Sequence, residues 1–233
     1  MEKSFKYRAF ITYAHEDEDR ARWLRKKLER FPVPKNIIGK KGQFGTIPPR
    51  LYPIFRDRDE LAGSAQLGSV IEQALEDSSH LIVLCSTHAV KSRWVNEEIR
   101  LFKKMGKGDR ILCLIVDGDP MADDSPKSNA QECLPLAVRR KVDATGEITD
   151  EIDEPGAADL RESKDGEKDA LLKIVAGMLG LGLDEIKQRD IIARQRKLAL
   201  ITAFSITLAF SGIGLATYLF FQKQKANDAE QTA

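Results

Sequence analysis

The chain has 233 residues, 42% of them hydrophobic and 31% charged, with a net charge of +1. That length suits one domain of ordinary size plus an appendage, and the balanced charge gives nucleic-acid binding no support. The three cysteines, Cys85, Cys113 and Cys133, have neither a metal-ligand spacing nor an even disulfide framework, which fits a reduced compartment.

The N-terminus MEKSFKYRAF lacks the apolar core of a signal peptide. KYRAFITY (6–13) is rich in β-branched and aromatic residues and predicts a strand. The acidic run HEDED opens a helix over 21–31, with Trp23, Leu24, Leu28 and Phe31 at helical spacing. A basic, Gly/Pro-punctuated loop fills 32–49, a short strand is expected at 51–55, and RDRDELAGS is a polar loop. A helix follows over 65–75. HLIVLC (80–85) is a continuous apolar run, as in a strand buried on both faces. The spacing predicts a loop over 86–92 and then a helix that Ser92 is placed to cap. RILCLIV (110–116) is a second buried strand, ended by the turn DGDP.

From Asp117 to Asp169 the chain holds 16 acidic and 7 basic residues, so the remainder holds 20 acidic and 30 basic. The stretch reads as solvated loops around short elements. An amphipathic helix is expected over 169–181, and 184–197 continues helically. LALITAFSITLAFSGIGLATYLFF (198–221) then runs 24 residues without a charge. A helix of that length spans roughly 36 Å, enough to cross a bilayer core. Its flanks carry Lys187, Arg189, Arg194, Arg196 and Lys197 before it, and Lys223 and Lys225 after it. The positive-inside rule therefore puts residues 1–197 in the cytoplasm. The domain plan is a globular domain over 1–185 with an acidic insertion at about 117–169, a basic juxtamembrane helix at 186–197, a transmembrane helix at 198–221 and a polar tail at 222–233.

Strands alternating with helices imply a doubly wound, flavodoxin-like parallel sheet. Ligands of such sheets bind outside the carboxyl ends of the strands. Three segments converge there: 13–17, 55–63 and 86–98. The sequence carries no GxGxxG after its first strand and no GxxxxGK[ST], so both common phosphate cradles are missing. It has no GxSxG elbow for Ser86. His15, His80 and His88 have no ligand spacing, and no metal site is expected.

The residue that stands out is a glutamate. In RWVNEEIRLF (93–102), with Trp94 at zero on a helical wheel, Val95, Ile99 and Phe102 fall at about 100°, 140° and 80°. Glu98 falls at about 40°, inside that apolar arc, whereas Glu97 falls near −60° among Asn96, Arg100, Lys103 and Lys104. A carboxylate in an apolar arc must find partners, protonate or line a cleft.

FITYAHED resembles the first-strand box of Toll/interleukin-1 receptor (TIR) domains. IFRDRDELAGSAQLGSVIEQALEDSSHLIVLCS resembles their BB loop, second helix and third strand, and SRWVNEEI resembles their Trp-x-x-x-Glu signature, with Trp94 and Glu98 at the matching positions. The resemblance covers roughly 5–185 and points to the bacterial branch in which a TIR domain precedes a membrane span. Thr12 and Ala14 depart from the commonest first box, and the extended insertion departs from compact TIR domains. The resemblance implies a TIR fold and an NAD nucleosidase activity, cleavage of the nicotinamide–ribose bond of NAD with or without cyclisation, in signalling or bacterial immunity. It implies Glu98 as the catalytic residue, and Tyr13, Ala14, Phe55, Arg56, Asp57, Ser86 and Trp94 as substrate-binding residues. NAD enters as substrate rather than cofactor. The expected partners are further TIR domains and the inner membrane, crossed once with the TIR domain in the cytoplasm. The other reading is a non-enzymatic signalling adaptor that works by TIR–TIR contact through Phe55–Gly63.

Overall fold

The computed structural model describes residues 5–56, 67–120, 122, 131–153, 155–186 and 202. The chain divides into two units, Met1–Ile186 and Lys187–Ala233. The elements named below all belong to the first.

Strand β1 (Ala9–Thr12) leads through a short turn into helix α1 (Glu18–Glu29). A tight antiparallel hairpin follows, β2 (Lys41–Gly42) and β3 (Gly45–Thr46), then β4 (Ile54–Arg56). Helix α2 (Leu67–Glu76), β5 (Leu81–Cys85), helix α3 (Thr87–Lys91), helix α4 (Arg93–Lys104) and β6 (Ile111–Ile115) complete the central part. The insertion contains the short helix α5 (Leu136–Arg139), the antiparallel pair β7 (Arg140–Val142) and β8 (Ile148–Ile152), and β9 (Ala157–Asp159). Helix α6 (Gly166–Leu179) follows.

The main sheet has the order β4-β1-β5-β6-β9 and every pair in it is parallel. This is the expected doubly wound layout. The direction of winding switches between β1 and β5: β4 lies outward on one side and β6 and β9 on the other. Side chains alternate across the sheet as the pleat requires. Ala9, Ile11, Ile54, Ile82, Leu84 and Leu114 pack with α1 and α6, whereas Phe10, Phe55, Val83, Cys85 and Cys113 pack with α2 and α4. All five residues of β5 are buried, which is why HLIVLC carries no polar alternation.

Three expectations need correction. The 86–92 segment is not a loop: Ser86 caps a helix over Thr87–Lys91. The strand expected at 51–55 is displaced to Ile54–Arg56, because its register is set by pairing Ile54 with Ala9 and Arg56 with Ile11. The acidic insertion supplies the fifth strand of the main sheet, with Ala158 paired to Leu114. Among the described residues no helix is long and apolar enough to cross a membrane. The expected span at 198–221, apart from Thr202, and the expected juxtamembrane helix beyond Ile186 lie outside the described residues.

Candidate active site

The carboxyl ends of β1, β5 and β6 meet at the switch point, and hydrogen bonds tie them together. Ser86 follows β5 and is fully buried. Its hydroxyl accepts from the Ala89 amide at 3.0 Å, capping α3, and donates to Asp17 Oδ2 at 2.5 Å. Asp17 comes from the turn after β1 and is itself buried. From the end of β6, Asp117 Oδ1 accepts from the Thr87 amide at 2.9 Å. Burial holds the Asp17 carboxyl above its ordinary range; the Ser86 hydrogen bond works against this and the nearby Asp117 charge adds to it.

Asp17 lies in the 13–17 segment expected at the carboxyl ends of the strands but was not singled out as a site residue. Its own sequence signal is its place in the acidic run HEDED, which also reads as an ordinary helix start. The contact that distinguishes it spans 69 positions.

Glu98 lies on α4. Ser92 caps this helix as expected, its Oγ accepting from the Val95 amide at 3.3 Å. The helix turns Val95, Glu98, Ile99 and Phe102 inward. Glu98 is 4% exposed. Its neighbour Glu97 has a side chain 42% exposed and pairs with Arg100 at 2.8 Å. Adjacent glutamates thus occupy opposite environments, the division drawn by the wheel. A buried carboxylate in a low-dielectric setting interacts far more strongly with a developing positive charge than a solvated one does.

The polar side of α4 is not simply solvated. Asn96 Oδ1 accepts from the Ala137 amide at 3.1 Å. Arg100 donates to the Gly146 carbonyl at 2.8 Å and to Glu147 at 3.1 Å. Lys103 Nζ donates to the carbonyls of Val138 at 3.3 Å and Arg140 at 2.7 Å, and to Asp153 at 2.7 Å. The helix that carries Glu98 is therefore fixed from behind by the acidic insertion, which the sequence presents as solvated loops around short elements.

The other expected substrate-binding residues divide. Ala14 and Phe55 pack on the α2/α4 side of the sheet and Tyr13 on the α1 side. The Phe55 ring is stacked on Phe10 and edge-on to Tyr7, both at 5.0 Å between centroids. It is part of the core. Arg56 is 2% exposed, 3.6 Å from Glu18 and 5.9 Å over the Tyr13 ring. Trp94 is 65% exposed, outside the apolar face that holds Glu98. Asp57 lies outside the described residues. All three thiols are buried; desolvation raises Cys133 to about 12, and the hydrogen bond with Cys113 together with burial raises Cys85. Among the described residues no cluster of His, Cys, Asp and Glu is arranged to hold a metal.

Residues 10–120, which run from β1 past the end of β6, match the family described as "Thoeris protein ThsB, TIR-like domain". The five-stranded parallel sheet flanked by helices fits that α/β, flavodoxin-like fold. The chain is also similar to the NAD(+) hydrolase ApTIR of Actinoplanes sp., at 28% identity over 253 aligned positions. That alignment covers 97% of this chain but 32% of the relative, so the chain spans about a third of its length.

Proposed function

We propose that this chain is a TIR-domain NAD glycohydrolase and that Glu98 is its catalytic carboxylate. The observation that carries the reading is the burial of Glu98 on the inner face of α4 beside a half-exposed, ion-paired Glu97. The Trp94-x-x-x-Glu98 spacing and the similarity to a protein named as an NAD(+) hydrolase support it.

The chemistry needs few groups. The bond between ribose C1′ and the nicotinamide nitrogen breaks, and its electron pair leaves with neutral nicotinamide. Positive charge develops on the ribose ring, as in glycoside hydrolysis. Water then adds at C1′ and loses a proton, or a nucleophile within the same molecule closes a ring. Glu98 stabilises the oxocarbenium-like charge or orients the ribose hydroxyls. The Asp17–Ser86–Ala89 chain of hydrogen bonds holds the β1 and β5 ends in a fixed relation, which keeps the crevice in register with α4.

In this proposal the uncharged segment 198–221 anchors the protein in the inner membrane with the TIR domain cytoplasmic, and self-association of TIR domains switches the activity on. Tethering raises the effective concentration of one domain around another. The test is nicotinamide release from NAD by the full chain, dilute in detergent and then at rising density on liposomes. The proposal expects the rate per molecule to climb with density. NAD left intact by densely packed, self-associated protein would overturn the enzymatic reading and favour a signalling adaptor.

A further inference from the structure

The amino ends of the strands form the sheet edge opposite the switch point, roughly 17 Å away for strands of five residues. An open cleft of about 540 Å³ lies at that edge, lined by Phe5, by the β2–β3 hairpin and by the 105–107 turn and Arg110. Its size suits a small molecule.

The cleft is cationic. The Arg110 guanidinium lies 4.8 Å from the Phe44 ring centroid and 5.5 Å from that of Phe5. Such flanking fixes a guanidinium in place while leaving its N–H edge free to bind. Among the described residues its side-chain hydrogen bond is a long one, 3.4 Å to Ser79 Oγ. Lys41 is exposed and lines the same cleft. Among the described residues that line it, none is aspartate or glutamate. Lys107 adds charge, although its ammonium donates to the carbonyls of Leu75, Glu76 and Ser78.

His80 is buried behind Phe44, with ring centroids 4.9 Å apart. Burial lowers it to about 4, and the charges of Arg110 and Arg8 push the same way. The cleft wall is also built to a tight tolerance. A side chain at Gly42 would meet the Leu179 carbonyl at 2.3 Å, and Gly180, at φ +61°, sits against Gln43. The hairpin that carries Phe44 to Arg110 therefore depends on glycine at both points.

We propose that this cleft is a second binding site, for a small phosphorylated anion held by Arg110 and Lys41. A guanidinium held by aromatic faces, an ammonium and a glycine-rich backbone together match the chemistry of a phosphate. The near-neutral chain and the small volume disfavour a polyanion.

The test is calorimetric titration of the full chain with inorganic pyrophosphate, with the His80 imidazole followed by NMR. Saturable binding is expected, weakened about tenfold or more by Arg110→Gln and by Lys41→Gln and unchanged by Glu98→Ala. Bound anion should raise the His80 titration point in wild type and leave it unmoved in Arg110→Gln. ADP should bind at least as tightly as pyrophosphate. The proposal is overturned if pyrophosphate leaves His80 unperturbed, if Arg110→Gln binds like wild type, or if adenosine binds as tightly as ADP.

Discussion

Two residues show how much environment can do to one side-chain type. Glu97 and Glu98 are neighbours in sequence, yet one is half-exposed and ion-paired with Arg100 and the other shares the buried face of α4 with Val95, Ile99 and Phe102. This division was legible from helical periodicity, because α4 is long and strongly amphipathic. Asp17 was not legible, because its partner lies on another element. His80 gives a residue-scale prediction whose sign follows from its burial. Its folded value of about 4 lies below the ordinary 6.5. Between those values the unfolded chain binds more protons, so stability falls as pH drops from 6.5 toward 4. The full difference is about 3 kcal/mol at one histidine. Urea unfolding midpoints measured across this range for wild type and His80→Leu should show a shallower acid slope in the variant. Parallel slopes would mean that His80 does not titrate with unfolding.

At the scale of elements, hydrophobic runs were readable and short pieces were not. HLIVLC and RILCLIV became β5 and β6 because a strand covered on both faces must be apolar throughout. Helix α3 has five residues, too few for periodicity, and β9 has three, of which two are alanine. Both exist because of partners: the Ser86 cap for α3 and the β6 edge for β9. Helix α2 ends on a distant group, the Lys107 ammonium, which donates to the Leu75, Glu76 and Ser78 carbonyls at 2.8–3.0 Å. Lys107→Met should destabilise the domain by about 3 kcal/mol, since buried carbonyls lose charged donors, and a lowered urea midpoint would register it. The insertion should detach more selectively. Asn96→Ala removes the bond to the Ala137 amide, so limited trypsin digestion should cut faster at 139–141 while the sheet core survives. Cleavage at the wild-type rate would mean that Arg100 and Lys103 hold the insertion alone.

For the whole molecule, alternation of strands and helices was sufficient to expect a flavodoxin-like sheet, and its order follows from where β1 and β5 lie. The acidic character of 117–169 concealed two roles: completion of the sheet and support of the helix bearing Glu98. Charge counts describe surface, but contacts such as Lys103 to Asp153 depend on tertiary placement. Among the described residues, the sheet carries a hydrogen-bonded polar cluster of Asp17, Ser86 and Asp117 at its carboxyl edge, a cationic cleft at its amino edge, and a buried carboxylate on the inner face of α4. The most direct test compares the two glutamates. Nicotinamide release by the clustered full chain should fall about a hundredfold or more in Glu98→Gln, the scale of losing one transition-state contact, and change little in Glu97→Gln, with unfolding midpoints showing that both variants are folded. Equal losses, or an active Glu98→Gln protein, would contradict the assignment of Glu98 as the catalytic group.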